Sequence, residues 1–149
     1  MRLRGFEKVE EYKNIDFPLP ERKTKGSAGY DFYLPSDVLL TAGQVNRVAT
    51  GVKAYMPENE YLGMHIRSSI AMKMCVTMIN NQGIVDSDYY NNEENEGHIM
   101  LLLFNLSGRD ICLKKGERIA QGIFYSFLIA DNDLENEKIV RSGGFGSTK

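Results

Sequence analysis

The run Asn80-Asn81-Gln82-Gly83-Ile84-Val85-Asp86-Ser87-Asp88-Tyr89 places an acid, a glycine and an aromatic ring within a few residues, between two apolar runs. A carboxylate at a β-turn beside a ring suits a pocket that seats a flat ligand and holds a water for attack, because an ionised carboxylate can take a proton from a positioned water. Four further clusters could act with it. Arg67-Ser68-Ser69 offers a guanidinium and two hydroxyls ahead of a short helix, which makes either an anion site or a helix cap with a structural arginine. Gln121 sits inside the apolar segment Arg118-Ile119-Ala120-Gln121-Gly122-Ile123-Phe124, where an amide needs partners: a phosphate or a neighbouring backbone. Ala28-Gly29-Tyr30-Asp31 opens a strand, and Asp31 could orient water around a metal or cap a turn. Gly143-Gly144-Phe145-Gly146-Ser147-Thr148 has phosphate-friendly composition without being a P-loop, since its lysine follows Ser-Thr at the chain end. It reads as a flap that lays Phe145 over an aromatic ligand, or as an unstructured terminus. His65 and His98 lie far apart with no carboxylates at ligand spacing, so neither a zinc site nor a Ser-His-Asp triad is expected.

The elements that must position these groups are short. Apolar stretches recur between turn residues, and long stretches of helical period are absent. Val48, Thr50, Val52 and Ala54 alternate with Arg47, Ala49, Gly51 and Lys53, which predicts one strand. Met100 to Phe104 is continuously apolar and predicts a strand buried on both faces. Ile119, Ile123, Phe124, Phe127 and Leu128 follow a Lys-Lys-Gly turn at 114–116. One short helix is predicted at Ser69 to Met74, capped by Ser68 or Ser69. Asn91 to Glu96 has nothing to bury and reads as soft. Residues 1–140 are thus expected to form one all-β domain, a barrel or jelly roll, with a mobile Gly-rich tail at 141–149.

Composition narrows the function. At 149 residues, 42% hydrophobic and 26% charged, the chain has the size and balance of one globular domain. No apolar run approaches the ~20 residues of a membrane span, and the first residues carry charges without a signal-like apolar core. A net charge of −2 gives no global basic field for nucleic acid, so an anionic substrate must be held by local donors. Cys75 and Cys112, without a CxxC, are expected as packed, reduced thiols of a cytoplasmic or otherwise intracellular protein.

Together, and in this order, the five clusters resemble the five motifs of the homotrimeric dUTPases: Ala28-Gly29-Tyr30-Asp31, Arg67-Ser68-Ser69-Ile70-Ala71, Asn80 to Tyr89 with its Gly-Ile-Val-Asp core, Arg118-Ile119-Ala120-Gln121, and Gly144-Phe145-Gly146-Ser147-Thr148. The similarity runs from about Leu19 to the C-terminus. It implies a jelly-roll (β-clip) fold, a trimer whose sites are each built from three chains, and hydrolysis of dUTP to dUMP and pyrophosphate with magnesium held mainly by the triphosphate. Carried over by position, Asp86 is the base that activates water and Tyr89 lies against the deoxyribose, leaving no room for a 2′-hydroxyl. Asn80, Gly83, Ile84 and Val85 line the uracil and sugar pocket, with Met100 on the returning strand. Arg67, Ser68, Ser69 and Gln121 hold phosphates, Phe145 stacks on uracil, and Arg141, Gly146, Ser147 and Thr148 close on the phosphate end. Asp31 is expected near the metal's water shell, with no direct protein ligand to the metal.

Two departures stand out. The glycine that usually lies five residues after the aspartate corresponds to Gly97, eleven after Asp86, so about six residues, Asn91 to Glu96, are inserted. They are expected as a longer, solvated hairpin tip, or as the contact of a regulatory protein that binds a partner. Arg141 lies four residues before Phe145, where many relatives place that arginine five before. A dCTP deaminase, which shares the fold, would need a glutamate where this chain has Leu102, so deamination is not expected.

Overall fold

The computed structural model describes residues 1–133, 137–146 and 148. Its strands are β1 (Gly5–Lys8), β2 (Tyr30–Tyr33), β3 (Val38–Leu40), β4 (Val45–Ala49), β5 (Val52–Tyr55), β6 (Glu60–Ile66), β7 (Val76–Met78), β8 (Gly83–Asp86), β9 (Met100–Asn105), β10 (Ile111–Leu113) and β11 (Arg118–Ser126), and its helix is α1 (Ser68–Met74). They form a four-stranded sheet in the order β2-β11-β6-β8, a three-stranded sheet β4-β9-β7, and the pairs β1-β5 and β3-β10. Every strand pairing is antiparallel. Short strands with one apolar face cannot stand alone. They bury Phe32, Leu40, Leu62, Met64, Leu101, Leu103 and Ile119 between the sheets, all at most 1% exposed. Among the described residues the fold is all-β with a single short helix, as expected.

The alternation across 47–54 yields two strands. β4 pairs with β9 and β5 with β1, because the chain turns at Thr50-Gly51. Gly51 has φ +73°, and a Cβ there would stand 2.7 Å from the Tyr12 ring and 2.8 Å from Phe17, so only glycine fits. The Thr50 hydroxyl donates to the Ile99 carbonyl at 2.7 Å and closes the bend. β9 is also not buried on both faces. Leu101, Leu103 and Asn105 point inward, while Met100, Leu102 and Phe104 form a half-exposed outer face. Across that face Phe104 stands opposite Val45, which is 50% exposed. Within one chain, only one face of the β4-β9-β7 sheet is packed against a second layer.

The helix starts one residue early. Its N-cap is Arg67, which makes no side-chain capping bond, so neither Ser68 nor Ser69 is the cap and both lie in the first turn. The helix ends at Cys75, in the left-handed conformation with φ 51°, its N–H donated to Ala71. That turn exposes the Cys75 thiol, and Cys112 points outward from β10; both are free but exposed rather than packed.

The insertion is ordered, contrary to the expectation for a segment with no apolar residues. Its interior is polar. The Asn92 amide is buried and donates to the Tyr89 carbonyl at 2.7 Å and to Asn95 Oδ1 at 2.8 Å, while its own oxygen accepts the N–H groups of Glu94 and Asn95 at 3.1 Å. Asn91 N–H donates to the Glu96 carbonyl, and Glu96 N–H to the Asn92 carbonyl, both at 3.0 Å. Lys53, itself buried on β5, anchors the loop by donating at 2.6 Å to both Asn91 Oδ1 and Glu96 Oε1. Hydrogen bonds that satisfy buried polar groups can fold a loop without a hydrophobic seed.

Candidate active site

β8 runs antiparallel to β6, with Asp86 opposite Tyr61 and Gly83 opposite Met64. A tight turn at 79–82, in which Asn81 adopts φ 66°, delivers the chain into β8, and a 3-10 turn over Ser87–Tyr89 carries it out. This path brings Asn80, Gly83, Ile84, Val85, Asp86 and Tyr89 to a cavity of about 170 Å³, closed by Met100 from β9 and by Arg141, Phe145 and Gly146 from the tail. Met64, Ile99 and Gly144 also line it. The first two look like ordinary core residues in the sequence and carry no signal that sets them apart.

Arg141 joins the tail to the acid. Its Nη2 lies 2.5 Å from Asp86 Oδ2 and its Nε lies 2.8 Å from Asp88 Oδ1. The guanidinium side chain is 16% exposed and that of Asp86 49%. Asp88 does not line the cavity and has no role in the motif resemblance, but with Asp86 it forms two acids flanking one serine, a fork for the arginine. Phe145 is 62% exposed, with the Arg47 guanidinium 5.4 Å from its ring centre. Thr148 is exposed, and Ser147 lies outside the described residues.

Tyr89 is buried, and burial raises its phenol pKa. The hydroxyl donates to the His98 carbonyl at 2.8 Å and accepts the Asn95 amide at 2.8 Å. With its donor used and an acceptor position filled, the ring presents the cavity with an apolar wall. The His98 ring is occupied elsewhere: its Nε2 accepts Gly51 N–H at 2.8 Å, and burial lowers its pKa, so it serves as a neutral structural acceptor.

Of the expected phosphate-holding residues, Arg67 and Ser69 meet at a different place, while Ser68 and Gln121 do not line it. Arg67 and Ser69, with Lys23, Lys73 and Arg118, face a shallow basic groove that shares no residue with the first cavity. Gln121 lies in β11 opposite Asp31 and His65, close to that groove, and a Cβ on Gly29 would fall 2.2 Å from its carboxamide oxygen. Asp31 accepts Arg118 Nη1 at 2.9 Å and faces Arg67 Nε at 3.4 Å, so both of its oxygens are directed at guanidinium groups. It orients the arginines of the groove. Among the described residues, no group of three His, Cys, Asp or Glu side chains could hold a metal ion. The separation of the two clusters follows from β6. Asp86 pairs with Tyr61 at one end, and Arg67 follows the other end six residues on (67 − 61), about 20 Å away at ~3.3 Å per residue.

An all-β fold with an acid–tyrosine pocket, a separate arginine–serine groove and a glycine-rich tail laid over the acid defines a class of nucleotide-handling proteins. The dUTPase family profile matches residues 16–149. The deoxyuridine 5′-triphosphate nucleotidohydrolase of Lactococcus lactis subsp. lactis (strain IL1403) is 45% identical over 148 residues, covering 99% of each chain. That of Rickettsia prowazekii (strain Madrid E) is 34% identical over 95% of each. The crystal structure of the Streptococcus mutans dUTPase superposes with a TM-score of 0.80 at 42% identity, covering 86% of this chain and 99% of that one. A D95N variant of the phage phi11 dUTPase, described with a structural Mg(II) ion, shares the fold at a TM-score of 0.70 and 16% identity over 93% of this chain and 97% of that one. The chain belongs to the dUTPase family.

Proposed function

We propose that the protein hydrolyses dUTP to dUMP and pyrophosphate by attack of water on the α-phosphate, limiting uracil incorporation into DNA and supplying dUMP for thymidylate synthesis. The observation that carries this reading is the convergence of Asp86, Tyr89, Asn80 and the tail on one small cavity. At about 170 Å³ it is smaller than the ~300–1,000 Å³ of sites for drug-sized ligands, and suits a base and sugar better than a whole triphosphate. Asn80 and the β8 backbone hold the uracil edge. The phosphates run outward past Asp86.

Asp86 takes the proton of the attacking water. In the substrate-free chain its Oδ2 is held by Arg141, so the arginine must transfer to the phosphates before the carboxylate can orient water. Asp88 keeps a second hold on the same guanidinium during that exchange. Phe145, exposed at rest, covers the base. Arg141, Gly146, Ser147 and Thr148 close on the phosphate end, so that 141–149 acts as a flap on the 1–140 domain. Magnesium, bound through the triphosphate oxygens, would supply charge neutralisation, a mode in which Mg²⁺ is held by substrate phosphates and water.

The phosphate-holding groups Arg67, Ser68, Ser69 and Gln121 lie too far from Asp86 in the same chain to act on one triphosphate. The reading therefore includes a homotrimer with shared sites, in which a neighbouring copy brings its groove to this cavity; with the tail reaching the cavity of its own chain, two chains rather than the expected three supply each site. The half-exposed apolar face of Met100, Leu102, Phe104 and Val45 supplies a surface that such packing would cover. Two free thiols fit an intracellular, reducing setting. Leu102, on that outer face opposite Arg47, offers no proton shuttle for deamination.

The test is pyrophosphate release from dUTP, dCTP and UTP side by side with magnesium. A 2′-hydroxyl pressed on the Tyr89 ring would lose water and gain no partner, so kcat/KM for UTP should fall about 100-fold or more below that for dUTP. Ammonia from dCTP, or equal turnover of UTP, would overturn the reading.

A further inference from the structure

We propose that the inserted loop 91–96 is the seat of the C-terminal tail, with Glu94 as the positioning residue that fixes the tail and Asn95 as the link that fixes Tyr89 to the same support. Glu94 Oε2 accepts the N–H of Gly144 at 2.6 Å. The fit depends on the two glycines beside Phe145. A Cβ on Gly143 would fall 1.9 Å from Glu94 Oε2, and one on Gly144 would stand 3.2 Å from Asn95 Nδ2 and 3.4 Å from the Tyr89 ring. Both glycines are buried against the loop, although they belong to a terminal segment with little apolar content.

The loop is built to carry this contact. The Asn92 amide network closes it, and Lys53 ties it to β5, so Glu94 and Asn95 project from an ordered support. The next residue along, Asn95, donates its amide to the Tyr89 hydroxyl. One loop thus holds the wall of the sugar pocket and the backbone next to Phe145. The seating itself does not depend on the identity of the substrate; its effect on turnover rests on the dUTP reading. A charge-assisted bond from a carboxylate to a backbone N–H is stronger than a neutral one, so loss of the Glu94 side chain should shift the tail from seated to free about tenfold.

Two readouts test this. The first is trypsin cleavage after Arg141, followed by mass measurement of the released 142–149 peptide, on the full chain without nucleotide. Glu94→Ala should accelerate this cleavage about tenfold while the melting temperature holds, because Glu94 is exposed and outside the core. The second is kcat/KM for dUTP, which should fall by a similar factor. Gly143→Ala should free the tail in the wild-type background, by displacing Glu94, and add little on top of Glu94→Ala, a non-additivity that reports the direct contact and that independent, general destabilisation would not give. Faster cleavage in a protein that does not hydrolyse dUTP would support the seat and remove only the dUTP reading. Unchanged cleavage in Glu94→Ala, or full additivity with Gly143→Ala, would overturn the proposal.

Discussion

Asp86→Asn should lower dUTP turnover by on the order of 10²–10⁴-fold and leave nucleotide binding close to that of the unaltered protein. The substitution is nearly isosteric and removes the only property the proposed mechanism asks of this side chain, the capacity to take a proton from water. The cavity should persist around it. Asp86 sits at the end of β8, its backbone held in the ladder opposite Tyr61, and its side chain is half-exposed rather than part of the core. The tail should persist as well, because Arg141 keeps its 2.8 Å contact with Asp88 and Gly144 keeps Glu94. Steady-state hydrolysis and equilibrium titration with a non-hydrolysable dUTP analogue separate the two effects. Turnover within a few-fold of the unaltered protein would remove Asp86 as the base.

Removal of residues 141–149 should slow hydrolysis by roughly 10²-fold while the melting temperature moves by no more than about 2–4 °C, the shift that ~1 kcal/mol produces in a domain of this size. Among the described residues, the tail contributes nothing to the set of buried hydrophobic residues, whose last member is Ala120. It contributes Arg141, Gly144, Phe145 and Gly146 to the cavity wall. Without them the base stays open to water, and the phosphate end loses its mobile cation. Hydrolysis and thermal unfolding of the truncated chain check this; full activity would make the flap dispensable.

The residues proposed to carry the chemistry are the most legible part of the sequence. Asp86, Tyr89 and Phe145 stand out because an acid or a ring among turn residues has no obvious packing role. A strand is legible in the continuous apolar run Met100 to Phe104, which forms β9 with one face half-exposed. Pattern misleads where one conformation overrides it: Gly51 at φ +73° cuts an eight-residue alternation in two, and the crowding by Tyr12 and Phe17 that demands it is invisible along the chain. The order of the insertion is hidden from the sequence for a related reason. Hydrophobic content measures what an apolar core can organise, whereas Asn91 to Glu96 is organised by the Asn92 amide and by Lys53, reached from a strand about 40 positions away in sequence. The motif resemblance puts Asp31 near a metal's water shell; in the fold its carboxylate faces Arg67 and Arg118, a pairing created by the β2-β11-β6 order of the sheet. The separation of the phosphate cluster from Asp86 was equally hidden, since it is a consequence of strand register.

That separation is also the most exposed part of the account, which holds that dUTP is hydrolysed at sites assembled from the halves of different chains. Mixing tests it directly. Asp86→Asn and Arg67→Gln proteins, each inactive alone, are co-assembled in equal amounts and assayed for pyrophosphate from dUTP. If each site draws its base from one chain and its arginine from another, both halves are intact in about a quarter of randomly assembled sites, and activity should recover toward that fraction. Activity no greater than the sum of the two separate variants would contradict the account.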